Sequence, residues 1–333
     1  MRASRSATLT VIAVATLVLS ACGSPGSGGG EAESTTTASA GLATCGPVAG
    51  DKLVVLTDDK GLQNADNIIP AVNKAAADAN PAIIESLDKV SAALDTDKLI
   101  ELNKAVDIDR RTSSDVAKEF VDTEKLAATD TSAGAGTSLT IGAANFSESS
   151  TLAEIYAAVL RTAGFDATVQ TVGNRETYLP ALTDGTLAAV PEYAATLADF
   201  LNSQANGPDA KSVASGDVDA TVAALTPLAA AAGLSVGKAS AAQDQNAFAV
   251  TDKFAAKYKV KTLSDLAATC GGLVLAGPAE CPDRPFCQLG LENTYGLQFA
   301  DFKSYDFGLI GQAVLKGEAS IGLVLSSDGA LAS

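Results

Sequence analysis

The stretch that most constrains the fold runs from Leu139 to Thr196, where apolar runs and amphipathic segments alternate three times. Its opening, LTIGA, reads as a strand; Asn145 follows, then Ser147 as a helix N-cap with Glu148 in the first turn. Leu152, Ile155, Tyr156, Val159 and Leu160 fall at i, i+3, i+4, i+7 and i+8, one apolar helical face, which makes Tyr156 a core residue. Gly164 ends that helix. DATVQTV and NRETYLPALTDG form a second strand and helix, and LAAVPEYAAT a third strand running into another helix. This βαβαβα order predicts an α/β fold with a mostly parallel sheet, whose ligands bind at the carboxyl ends of its strands. Asn145 and Tyr193 sit at such ends, with Ser149 in the helical turn beside them, and all three are candidate ligand contacts.

A chain of 333 residues can hold one large or two modest domains. It contains no histidine, which removes Ser-His-Asp and Cys-His nucleophilic machinery and histidine metal sites together. The net charge of −16, without a Lys/Arg cluster in the body, argues against nucleic acid or an anionic membrane face as partner. A monomer that uses no cofactor and no metal is expected.

Residues 1–21 read as a secretory signal: Arg2 and Arg5 precede an apolar run, Ala7 to Leu19, too short to span a bilayer. The run ends in Leu19-Ser20-Ala21-Cys22, which looks like a bacterial lipobox, so Cys22 is the expected lipidation site and the membrane a partner through the acyl chains. Residues 22–50 read as a flexible tether, in which about twenty Gly/Ser/Thr-rich residues reach some 25 Å on average. Four cysteines remain, and an even number in an exported chain favours disulfides over metal. Cys281 with Cys287 is the first pairing, and Cys45 with Cys270 follows by elimination; the sequence by itself leaves the connectivity open.

DKLVVLTDDKG reads as a strand ending in a polar turn and NIIPAV as a second apolar run. PAIIESLDKVSAAL, DKLIELNKAVDID and SSDVAKEFVDTEKL follow as striped helices. Residues 129–137, Gly-, Ser- and Thr-rich and without periodicity, read as a linker. After the opening stretch come a helix at DVDATVAALTPLAAAAG and strands or helices at NAFAVTD, DKFAAKY, GGLVLAG, YDFGLIGQAVLKGE and ASIGLVL.

The segments IGAANFSES, NRETYLPALTDGTLAAVPEYAAT and LVVLTDDKGLQNADNIIP resemble the substrate-binding proteins of osmoprotectant ABC importers, which take up glycine betaine, choline and carnitine. The resemblance implies a two-lobed type II periplasmic binding protein that closes on a small zwitterion and hands it to an ABC importer permease on the extracytoplasmic face of a bacterial membrane. It also implies a rotated chain order. In that family the DDKG strand and its helices come last, after a segment like GLVLSSDGALA, whereas here GLVLSSDGALAS stands at the C-terminus and the DDKG block at the front. Circular permutation accounts for this, with 129–137 as the joint. The expected organisation is 51–128 and 138–243 in lobe 1, 244–326 in lobe 2, and 327–333 returning to a hinge near 242–247 and 325–333.

The family surrounds its quaternary ammonium with aromatic rings and takes the carboxylate with arginine and amides. Tyr193 matches one cage position and Thr196 a polar contact; Phe248 and Asn246 stand where a second ring and a polar partner are expected. Glu280 and Arg284 match the family's loop carboxylate and arginine, braced by the Cys281–Cys287 clamp. Leu325 and Asp66 occupy two further cage positions without a ring, and Ala144 stands where a basic residue is frequent. Asp66 offers a formal negative charge instead, so the expected ligand is a small cationic or zwitterionic solute. Two other readings stand beside transport: a solute-binding sensor or scaffold that feeds no importer, and an enzyme using Glu148, Glu192 or Asp66 as acid or base.

Overall fold

The computed structural model describes residues 42–332. The signal segment, Cys22 and the tether as far as residue 41 lie outside the described residues. The chain begins with β1 (Ala43–Thr44), β2 (Leu53–Leu56) and β3 (Ile68–Asn73), then α1 (Lys74–Ala79), α2 (Ala82–Ala93), α3 (Thr96–Asp107) and α4 (Ser113–Thr123). There follow β4 (Ser138–Ala144), α5 (Ser147–Thr162), β5 (Asp166–Gly173), α6 (Arg175–Thr183), β6 (Ala189–Tyr193), α7 (Ala194–Asn206), α8 (Val218–Ala231) and β7 (Leu234–Val236). The last part comprises β8 (Asn246–Thr251), α9 (Asp252–Tyr258), α10 (Leu263–Thr269), β9 (Cys270–Gly271), β10 (Leu273–Gly277), α11 (Gln288–Gly290), β11 (Phe299–Ser304), α12 (Phe307–Leu315) and β12 (Ile321–Leu325).

Two five-stranded sheets carry the fold, in the orders β5-β4-β6-β3-β7 and β11-β10-β12-β8-β2. In each, three neighbouring strands are parallel, the fourth is reversed, and the fifth pairs antiparallel with the fourth. Four strands of each sheet therefore share one direction, the mostly parallel arrangement expected from the βαβ pattern. The reversed strands β3 and β8 are those at which the chain arrives from the opposite sheet.

Alternation along these strands builds the cores. In β3, Ile68 and Val72 join the cluster formed by α2, α3, α4 and α5, while Ile69 and Ala71 join the cluster under α6, α7 and α8. In β8, Phe248 and Val250 pack with Phe254, Leu263 and Leu266, whereas Ala247 and Ala249 meet Ile310 and Val314 of α12. The α2 stripe of Ile83, Leu87, Val90 and Leu94 is buried throughout. Each such side chain contributes about 1.5–3 kcal/mol.

Several expectations are corrected. The block 51–128 does not lie whole in the first lobe: Leu53–Leu56 pairs with β8 in the second sheet, where Leu53 and Leu56 enter opposite core clusters. The tether does not reach residue 50, because β1 pairs with β9 and Cys45 is fully buried, bonded to Cys270. Residues 129–137 are a packed turn rather than an open linker. The Gly134 N–H donates to the Ala163 carbonyl at 2.8 Å. Gly164 sits at φ +90°, where a Cβ would meet the Thr131 carbonyl oxygen at 2.4 Å, so only glycine fits. The N-cap of α5 is Phe146, one residue before Ser147, and Ser149 Oγ accepts the Ala144 N–H at 2.9 Å instead. Both disulfides, Cys45–Cys270 and Cys281–Cys287, are formed. Among the described residues no helix is long and apolar enough to cross a membrane.

Candidate functional site

Three segments pass between the sheets: 57–67, 237–245, and the stretch after β12, whose Ser327 carbonyl accepts the Asn103 side-chain amide at 2.8 Å on α3. The first is anchored by the DDKG turn. Asp58 accepts the N–H groups of Leu62 and Gln63 and the hydroxyl of Tyr295, and Asp59 accepts the Ser264 N–H. These bonds deliver Gln63, Asn64 and Asp66 to the space between the lobes.

Asp66 then completes a helix. Strand β6 runs into α7 without a loop, and its N-cap, Tyr193, makes no side-chain capping bond. The first amides of α7 are left for another acceptor, and Asp66 Oδ1 takes those of Ala195 and Thr196 at 2.9 and 3.0 Å. Burial pushes the Asp66 carboxyl up to about 6, against the opposing effects of the Thr196 amide and Arg175.

Beside it, Arg175 Nε and Nη2 donate to the two oxygens of Glu192 at 3.0 and 2.7 Å, and Tyr178 Oη donates to Glu192 at 2.7 Å. Arg175 Nη2 also donates to Thr196 Oγ1 at 2.8 Å, and its guanidinium lies 5.7 Å from the Phe200 ring centroid. Glu192 is fully buried, so the arginine charge is matched within the protein.

A second cluster joins both lobes. Tyr193 Oη donates to Glu148 Oε1 and Asn103 Nδ2 to Glu148 Oε2, each at 2.6 Å. Asp244, partly buried in the second crossing, accepts the Ser327 hydroxyl at 2.8 Å. Burial first, then the Glu148 and Asp66 charges, raise its carboxyl to about 8. Burial and Glu148 also hold the Tyr193 hydroxyl well above its ordinary value.

From the second lobe, the loop closed by Cys281–Cys287 presents Phe286, whose carbonyl accepts Gln63 Nε2 at 3.0 Å and Asn246 Nδ2 at 3.5 Å. Together these groups line a cavity of about 470 Å3, bounded by Asp66, Arg175 and Thr196 on one side and Asp244, Asn246 and Phe286 on the other. That volume suits a small solute. A neighbouring cavity of about 340 Å3 shares Gln63, Gln245 and Asn246. A larger one, about 640 Å3, lies between α3 and α4, away from the strand ends and from these groups.

The structure brings Asp66, Thr196 and Asn246 together on the 470 Å3 cavity. Tyr193 does not line it, since its hydroxyl is held by Glu148. Ser149 is buried beneath, and Asn145 is exposed. Phe248 belongs to the second lobe's core at 1% exposure, touching only the neighbouring cavity. Glu280 and Arg284 are exposed and line neither cavity, because the clamp turns Phe286 toward the cleft instead. Sequence reasoning missed Arg175, Asp244, Gln63 and Phe286. The signal for the first was present in NRETY, a charged residue at the start of a helix that follows a strand. Among the described residues no group of three or more His, Cys, Asp or Glu is arranged to hold a metal ion.

The family model for the substrate binding domain of the ABC-type glycine betaine transport system matches residues 35–123 and 137–333. The chain belongs to that family. It is a family of solute-binding proteins of ABC importers, not of enzymes, and this substrate-binding domain accordingly presents a cleft between two α/β lobes. Among solved structures, it is similar to a glycine betaine/carnitine/choline ABC transporter, at 20% identity and TM-score 0.46 over 59% of this chain and 70% of that one. It is also similar to NikA from Staphylococcus aureus in complex with Ni(L-His)2, at 12% identity and TM-score 0.26 over 56% of this chain and 47% of that one. A putative peptide binding protein AppA from Clostridium difficile has 12% identity and TM-score 0.28 over 61% and 48%. The chain spans about half the length of the last two. No curated protein matches it.

Proposed function

We propose that this substrate-binding domain captures a small cationic or zwitterionic solute in the cleft between its lobes and delivers it to an ABC importer permease. The observation that carries this reading is the buried Asp66, which lines a cavity of about 470 Å3 together with amide side chains from the second crossing. Asp66, Asp244 and the amides of Gln63, Gln245 and Asn246 offer charge and hydrogen bonds to a cation, and the crossings act as the hinge on which the lobes close. Thermal melts with betaines, choline, carnitine, amino acids, sugars and anions test it. A rise in Tm confined to cations and zwitterions is expected, and a rise only with sugars or anions overturns it.

Two further parts of the reading concern the whole chain. Acylation of Cys22 would hold the domain at the extracytoplasmic face, and metabolic labelling with a fatty acid, lost in Cys22→Ala, tests that. Circular permutation is supported by the two-piece family match, whose break falls between residues 123 and 137. It is also supported by Ala330 and Leu331 packing against the cluster that contains Leu53.

A further inference from the structure

We infer that the cleft selects a protonated amine, a cation that carries N–H groups, over a quaternary ammonium; the inference rests on the solute-binding reading above. Asp66 and Asp244 line one cavity. Asp66 is only 8% exposed, and while its Oδ1 accepts two amides of α7, its Oδ2 accepts no hydrogen bond from the described residues. Asp244 Oδ1 accepts the Ser327 hydroxyl, and its carboxyl also pairs with the Glu148 side chain. The buried Asp66 thus keeps an oxygen in need of a donor on the cavity, with the Asp244–Glu148 carboxyl pair beside it. Arg175 donates its hydrogen bonds to Glu192 and Thr196, and to neither Asp66 nor Asp244.

A quaternary ammonium presents methyl groups alone, so it would leave the Asp66 oxygen unsatisfied and would depend on aromatic faces. Those faces are few. Phe200 lies beneath the Arg175 guanidinium, Tyr193 is turned to Glu148, and Phe286 at the rim is the ring that remains. An ammonium with N–H groups satisfies the Asp66 oxygen directly, through the stronger, charge-assisted kind of bond.

The cleft's own charges add a second signature. The groups facing Asp66 are Arg175 of α6, Glu192 of β6 and Asp244; those facing Asp244 are Glu148 of α5, Asp66 and the Tyr193 hydroxyl. With Asp66 raised to about 6 and Asp244 to about 8 by burial and the neighbouring Glu148, the free protein at pH 7 retains a proton at Asp244. An entering ammonium supplies the positive charge that the proton supplied, and the proton passes to the buffer.

The test is calorimetry on the full chain at pH 7, in two buffers of different ionisation enthalpy. The titrants are glycine through its N-methylated forms to glycine betaine, and ethanolamine through its N-methylated forms to choline. In the skeleton that binds, affinity is expected to fall about tenfold or more from the primary to the quaternary member, with proton release on binding. Asp66→Asn keeps an acceptor for α7, and Asp244→Asn keeps one for Ser327. Each is expected to shrink the preference and the proton release, with melts confirming that the variant is folded. A quaternary member that binds as tightly as the primary one overturns the inference and leaves the solute-binding reading standing. Asn variants that retain full preference and release also overturn it. No heat with any member of either series overturns inference and reading together.

Discussion

Glu192 has no exposure to solvent and is held by two bonds from Arg175 and one from Tyr178. Removing one partner of such a pair strands a buried charge, at a cost of about 3–5 kcal/mol, whereas removing both is milder. Arg175→Met is therefore expected to lower the urea unfolding free energy by about that amount, and the double change with Glu192→Met by less than the sum of the singles. Asp66 and Asp244 each add a pH-dependent contribution to the stability of the free protein. Both are raised above the usual carboxylate value of 3.8, so between pH 4 and 8 the folded state binds more protons than the unfolded one. The stability they contribute is greatest at the acid end and is lost as pH rises through about 6 and then about 8. Urea titrations are expected to give lower unfolding free energies at pH 8.5 than at pH 5.5, with slopes on the order of 1 kcal/mol per pH unit for each proton. Asp244→Asn should flatten the upper part of that slope.

Elements with a strong period were legible in the sequence. The apolar stripes of α2 and α5 and the uniform runs of β10 and β12 identify themselves, because a face or a whole strand is buried. β11 escaped notice: it is an edge strand, FADFKS, whose side chains are partly exposed, so burial imposes no alternation on it. β2 reads as a strand, but its place in the second lobe is not legible locally, since its partner β8 lies almost two hundred residues away and no local pattern encodes pairing at that range. The same holds for the site. Asp66 was legible through the family's motif, but the Asp66 contact with α7 and the turning of Phe286 into the cleft are tertiary events. Cys45 shows what a long-range link contributes. Its bond to Cys270 spans 225 residues and lies in the second lobe's core. Replacing both cysteines with serine is expected to cost about 2–5 kcal/mol, read as a lower urea midpoint with no loss of the Cys281–Cys287 clamp on mass analysis.

At the scale of the molecule, the two sheets are built alike, but the first uses the consecutive strands β3 to β7 while the second takes strands from both ends of the chain. Moving residues 51–128 behind residue 332 and starting the body at 138 would restore the family's usual order. Such a chain is expected to keep its solute affinity within about threefold, because each strand retains its neighbours. A redesigned order that fails to fold argues against permutation. The second sheet's mixed origin carries another consequence. Because β2 lies in the second sheet, Cys45 is bonded to Cys270 and the Ser327 segment rests on α3, the lobes are braided together rather than strung in series. A protease that severs the backbone between Val236 and Asn246 would cut one cord of three. The clipped protein should still elute from a sizing column as one particle, and separate into two pieces only when urea and a reductant are added together.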